Sequence, residues 1–297
     1  MAVALKMTTA TFFISTGRCA TQWFASVLKQ HFPDRVVVTH EPIQAAYHPK
    51  RNLRGTDPEA VAQDPLVREH LTDIEKILAS GKSYVETGWP CYVAMPLLAA
   101  RFGERTRFVH IVRHPVHVAL SLATHRIYQR NDWIADAAID PFDAGVVQKE
   151  LAAAWTSMGE YEKALFWWTE INLYALEMQK VLPASEFMRF RYEDLFATLA
   201  QPQPQLLANV MNFMGLPHDA AMDAELDQRV DSYAQRTDDI DWRQIFRYPR
   251  TCELAESFGY RLDALSDDDL QNRYGRAGSG IGGKTRRIIG KLLGRNR

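Results

Sequence analysis

Ala10-Thr-Phe-Phe-Ile14, Ser15-Thr-Gly-Arg-Cys-Ala-Thr21 and Gln22-Trp-Phe-Ala-Ser-Val-Leu-Lys29 follow one another without a break. The first segment is short, aromatic and β-branched, the pattern of a buried strand. The last places Trp23, Val27 and Leu28 together on one helical face. Between them lies a tight loop. Strand, loop and helix in that order are the unit from which parallel α/β sheets are built.

The same alternation continues outward. Arg35-Val-Val-Val-Thr39 reads as a second strand ending at His40-Glu41-Pro42, and residues 57–80 contain a polar helix. Ser83-Tyr-Val-Glu-Thr87 reads as a third strand, with a helix over 93–102. Arg107-Phe-Val-His-Ile-Val112 is the strongest strand pattern in the chain, and Pro115 opens a helix through Tyr128. Apolar residues at helical spacing, including Trp155, Tyr161, Leu165, Trp168 and Leu176, predict a helix from Lys149 to Leu182. Phe187-Met-Arg-Phe-Arg191 reads as one more strand. Helices are expected near 203–214, 219–230 and 250–258. The expected fold class is α/β, a parallel central sheet flanked by helices on both faces.

Composition bounds the alternatives. The 297 residues are 46% hydrophobic and 24% charged, which excludes a disordered or fibrous chain. Three cysteines without a C-x-x-C pair argue against a disulfide scaffold and a structural zinc site. His110, His114 and His117 mimic a metal cluster by spacing, but Pro115 interrupts any continuous helix through them, and no metal is expected. The net charge of −1 is uneven: residues 270–297 hold eight Lys or Arg and no acid, leaving 27 basic and 36 acidic groups in the rest. The chain therefore reads as one domain over 1–272 and a basic Gly- and Arg-rich tail over 273–297. Without a targeting segment or a run of 18 apolar residues, a cytoplasmic protein is expected, with no nucleic-acid partner. The tail could lie on an anionic inner membrane face through Ile288, Ile289 and Leu292, or remain a solubilising tail.

Two constellations carry chemistry. In Ser15-Thr16-Gly17-Arg18-Cys19-Ala20-Thr21-Gln22, backbone N–H groups and a helix N-terminus converge where an anion fits, and Arg18 adds a full charge. The loop lacks the second glycine and the Lys-Ser/Thr pair of G-x-x-x-x-G-K-[ST]. An ordinary strand–helix turn with a threonine cap has the same letters. The second constellation is Arg113-His114-Pro115 with Ser121 eight residues after the arginine. Arg113 falls at the carboxyl end of a strand, where open α/β sheets bind ligands, and could share a phosphate with Ser121. A structural salt bridge is the other reading.

Taken together, the two resemble the sulfotransferases that use 3′-phosphoadenosine 5′-phosphosulfate (PAPS), whose sheet is P-loop-nucleotide-hydrolase-like. Their loop [KR]-S-G-T-[TS]-x aligns with Arg18-Cys19-Ala20-Thr21-Gln22-Trp23, departing from the pattern at Cys19, Ala20 and Gln22. Their Arg and Ser eight residues apart align with Arg113 and Ser121. Phe190-Arg191-Tyr192-Glu193-Asp194-Leu195 resembles their strand ending in Y-E-D-L. The resemblance spans about residues 10–200, and loosely reaches Cys252–Tyr260.

The resemblance implies PAPS as donor, PAP as product and no required metal. Thr16, Gly17, Arg18, Cys19, Ala20, Thr21 and Gln22 would then surround the 5′-phosphosulfate, and Arg113 and Ser121 the 3′-phosphate. Trp23 and Tyr192 would lie near the adenine, unless they are plain core aromatics. It also implies transfer by in-line displacement to a hydroxyl or amine, with Arg18 assisting the leaving phosphate. A Glu-Pro like Glu41-Pro42 supplies the catalytic base in carbohydrate-type members. A capping or salt-bridged glutamate is the alternative, with Glu86 as reserve. His40 would face away from Glu41 if the strand ran through both. The implied acceptor is a carbohydrate, glycolipid or other small or lipid-linked hydroxyl compound. Two other functions fit the composition: a small-metabolite kinase of P-loop type, and a non-catalytic nucleotide-binding or membrane-associated interaction protein.

Overall fold

Thr11 pairs with Val85 on one side and Arg107 on the other, which puts the first strand in the middle of a parallel sheet. The computed structural model describes residues 7–48, 53–55, 57–196, 204–226, 240–268 and 270. Among them the strands are β1 (Ala10–Ile14), β2 (Val36–His40), β3 (Ser83–Thr87), β4 (Thr106–Val112) and β5 (Phe187–Arg191). Their order is β2-β3-β1-β4-β5, and every pairing is parallel. Every residue of β1 and β3 is buried, so both faces of the sheet centre are covered. The two edge strands, β2 and β5, each keep partly exposed positions.

The helices are α1 (Thr21–His31), α2 (Pro58–Ala62), α3 (Pro65–Ala79), α4 (Met95–Phe102), α5 (Pro115–His125), α6 (Trp133–Ala137), α7 (Glu160–Val181), α8 (Tyr192–Phe196), α9 (Pro204–Phe213) and α10 (Pro249–Ser257). The polar helix expected over 57–80 is two helices. Asp64 caps the second by accepting from the Leu66 and Val67 amides, and Pro65 takes the first helical position. The helix expected from Lys149 to Leu182 starts only at Glu160. Residues 149–153 form a 3₁₀ turn, and Gly159 begins α7 with its amide bonded to Glu162 Oε2 at 3.0 Å. Apolar periodicity alone could not see this break, because the turn keeps Leu151 and Trp155 against the core. The helix expected over 219–230 is a 3₁₀ segment at Ala220–Glu225, and residues 227–239 lie outside the described part. So do 271–297, and with them the basic tail and the proposed boundary at 272. Among the described residues, no helix is long and apolar enough to cross a membrane.

Candidate active site

The strand order reverses at β1, which has β3 on one side and β4 on the other. Loops leaving the carboxyl ends of neighbouring strands diverge at such a point and open a crevice. The loop after β1 adopts a conformation few side chains favour: Gly17, Arg18 and Ala20 all have positive φ, at 75°, 58° and 60°. Ala20 holds the N-cap position of α1 and gives no side-chain cap. Thr21 is already helical, so the threonine-cap reading of the loop does not apply. Two non-glycine residues in the left-handed region are the kind of local strain that collects at ligand sites.

The loop is braced from several directions. The Ser15 hydroxyl lies 3.2 Å from the Gly17 amide and 3.3 Å from the Gly88 carbonyl. The indole of Trp167 donates to the Thr16 carbonyl at 3.0 Å, and that of Trp168 to the Arg113 carbonyl at 2.9 Å. Adjacent tryptophans on α7, both buried, thus hold the two segments expected to bind phosphate. The Cys19 thiol donates to the Gly17 carbonyl at 3.0 Å, and burial pushes its pKa up to about 11 against the pull of Arg113. It is a packed thiol, not a nucleophile. Thr16 and Cys19 are buried, whereas Gln22 is exposed on the first turn of α1.

Arg18, Arg113 and Ser121 come together although 95 residues separate the two arginines. Arg18 donates through Nε to Ser121 Oγ at 3.0 Å. Arg113 donates through Nη1 to the Arg18 carbonyl, and its guanidinium lies 4.3 Å from the centre of the Tyr192 ring. Each acidic or aromatic letter of Tyr192-Glu193-Asp194 has its own contact. Tyr192 stacks on Arg113. Glu193 accepts from the His114 amide at 3.0 Å and from the Tyr260 hydroxyl at 2.7 Å. Asp194 pairs with Arg191. Trp23 lies in the core, edge-on to Phe24 and Phe196, with its indole donating to the Glu225 carbonyl at 2.8 Å. Tyr192 therefore stands at the arginine cluster, and Trp23 stands behind it.

Glu41 terminates β2 with a φ of 49°. Its amide donates to the Thr87 carbonyl at 3.0 Å, and its side chain lies flat on Gly88, where a Cβ would stand 2.5 Å from Glu41 Cγ. Burial and the charge of Glu86 raise its pKa to about 7, against a hydrogen bond from the Trp89 backbone. The same Gly88-Trp89 corner receives Ser15, and the Trp89 ring passes beside Gly17. Glu41 and the phosphate-type loop thus share one support. His40 does not face away: its Nε2 is 3.9 Å from Glu41 Oε1, because the left-handed turn at Glu41 ends the strand's alternation. Glu86, the reserve base, is 1% exposed and takes three donors on Oε2: Tyr47 OH at 3.1 Å, Tyr84 OH at 3.0 Å and His70 Nε2 at 2.9 Å.

Of the three histidines of the apparent cluster, His114 and His117 pack edge-on with ring centroids 5.4 Å apart, whereas His110 is bonded elsewhere. His110 is buried against Asn172 with its pKa lowered to about 3 by burial, and His114 accepts from the Val116 amide through Nδ1. No group of His, Cys, Asp and Glu suited to a metal ion occurs among the described residues. The sequence reading overlooked Glu193 as a brace, Tyr260, Trp89, and the Tyr47–His70–Tyr84 set. Tyr192-Glu-Asp was a local signal for the first; the others are joined only by the fold.

No family model matches this chain, and no curated protein does. Solved structures with a similar course of chain do exist. The sulfotransferase domain from the curacin biosynthetic pathway matches with a TM-score of 0.47 and 14% identity, covering 86% of this chain and 99% of that one. A sulfotransferase from Alicyclobacillus acidocaldarius matches with a TM-score of 0.46 and 18% identity, over 86% and 98%. Mouse sulfotransferase SULT7A1, complexed with PAP, matches with a TM-score of 0.42 and 14% identity, over 96% and 82%.

Proposed function

We propose that this protein is a PAPS-dependent sulfotransferase that passes a sulfuryl group to a hydroxyl or amine, with a carbohydrate or glycolipid as the acceptor class. The observation that carries the reading is the meeting of Arg18, Arg113 and Ser121 at the sheet's switch point. Two guanidinium groups, a hydroxyl and the uncapped N-terminus of an eleven-residue helix form a donor set suited to a doubly phosphorylated nucleotide. PAPS, when bound, supplies the sulfuryl group and a phosphate leaving group.

Arg18 and the amides of residues 18–21 would hold the 5′ end, and Arg113 and Ser121 the 3′-phosphate. Tyr192, stacked on Arg113, orients that guanidinium and offers a ring beside it. Glu41 takes the acceptor's proton. A carboxylate with a pKa of about 7 is well matched to this task near neutral pH. The acceptor class rests on the Glu41-Pro42 resemblance.

Calorimetric titration with PAP, 5′-AMP and ATP tests the reading. PAP is expected to bind more tightly than the other two, and Arg113→Ala to abolish that preference. ATP binding as tight as PAP binding, and insensitive to Arg113→Ala, would overturn it.

A further inference from the structure

Two non-glycine residues four positions or fewer apart, Glu41 and Gln44, have φ of 49°. A turn strained twice in so short a stretch unwinds unless its surroundings hold it. Three ties do so. The Glu41 amide reaches the Thr87 carbonyl, the Tyr47 hydroxyl reaches Glu86, and His48 Nε2 lies 2.9 Å from the Pro90 carbonyl. Tyr47 is fully buried, so its phenol is an internal strut between the turn and β3. Glu86 receives that strut together with Tyr84 and His70 on a single oxygen, and Tyr84 in turn contacts Thr39 Oγ1 at 2.6 Å. A carboxylate oxygen facing three donors is well placed to hold a buried negative charge.

We propose that Glu86 is the positioning residue for Glu41: its buried carboxylate anchors the 41–48 turn through Tyr47 and so fixes where the Glu41 carboxyl stands. The inference rests on Glu41 being the base, and it replaces a direct catalytic role for Glu86. The groups facing Glu41 are His40 on its own strand end, Glu86 from β3, and the buried Cys91 thiol and the Trp89 amide from the segment after β3. Those facing Glu86 are Tyr47, His70 from α3 and Tyr84. Of these neighbours Glu86 is the one carboxylate, and it adds to the upward pull that burial exerts on Glu41.

The test is a carbon-13 titration of the full chain labelled at glutamate side-chain carboxyls, with the Glu41 signal identified by its loss in Glu41→Gln. In Glu86→Gln, the Glu41 midpoint is expected to fall by about one pH unit, roughly a tenfold loss of proton affinity. In Tyr47→Phe, which deletes one hydroxyl, the turn relaxes toward solvent and the midpoint falls about threefold in proton affinity. An unmoved midpoint in folded Glu86→Gln overturns the proposal; if that variant does not fold, an unmoved midpoint in Tyr47→Phe does so. PAPS turnover with water as acceptor, followed against pH, separates the two levels. Turnover in wild type that survives Glu41→Gln undiminished sinks Glu41 as base, whatever the titration shows. Turnover that needs Glu41, with an acid limb unchanged in Glu86→Gln, sinks the role of Glu86 alone.

Discussion

Glu41 is held in a left-handed backbone conformation, largely out of water and beside another carboxylate, and each of these conditions costs stability. The folded chain keeps the Glu41 proton to about pH 7, whereas an unfolded glutamate releases it near 4.5. Stability is therefore lost as pH rises from about 4.5 to about 7, by on the order of 3 kcal/mol, and the loss persists above that range. Glu41→Gln should melt higher than wild type at pH 8, with the difference closing below about pH 4.5; equal melting temperatures at pH 8 would contradict this. Gly88→Ala should destabilise by about 2 kcal/mol or more, read from urea midpoints. Its φ of 135° disfavours a side chain, and the new Cβ would meet Glu41 Cγ. Glu41-Pro42 could be picked out as a string, but its partner Gly88 could not, because close approach between two loops leaves no mark on either segment.

At the scale of elements, α7 does more than cover the sheet. Consecutive residues on a helix point about 100° apart, so Trp167 and Trp168 reach two different strand ends, one donating at Thr16 and the other at Arg113. Trp168→Phe keeps most of the apolar volume but leaves the buried Arg113 carbonyl without its indole donor. The expected cost is about 1–3 kcal/mol in unfolding free energy, with PAP affinity reduced more than 5′-AMP affinity. A variant of unchanged stability and affinity would show that α7 does not position the arginine. The β5–α8 junction is the complementary brace, with Glu193 joining the start of α5 to Tyr260. The sequence pattern placed Trp168 among the apolar helical positions, since apolar periodicity reports burial. It could not report the two indole hydrogen bonds, which depend on where the loops after β1 and β4 come to rest.

Across the whole molecule, several histidines are buried as neutral rings. Burial lowers the pKa of His48 and His114 to about 4 and of His110 to about 3. An unfolded chain takes up these protons from about pH 6.5 downward, and the folded chain does not until far lower. Stability should therefore fall by several kcal/mol, in order of magnitude, between about pH 6.5 and 4. Two groups act in the opposite sense. Glu41 favours the folded state as pH falls through 7. His31, raised chiefly by its hydrogen bond to Glu225 with Asp219 on its other nitrogen, contributes stability below about 6.5 that is lost as pH climbs through its folded value. The three neutral rings outweigh them, so the urea midpoint should be clearly higher at pH 7 than at pH 5, and His110→Gln should narrow the gap. Equal midpoints at both pH values would refute that balance. The strands, the α/β class and the identity of Arg18, Arg113 and Ser121 as candidates were all legible from one chain. Hydrophobic period and strand-end position are local properties, carried by residues next to one another. The break before α7 and the withdrawal of Glu86 behind three donors were not legible, because each is settled by which distant side chains fill the surrounding space. Sequence by itself thus determined the five strands, the α/β class and which residues are candidates for an anion site. Tertiary packing decided which carboxylate stays partly open to solvent and which is sealed behind three donors, since desolvation and charge coupling arise only when separate strands close on one another.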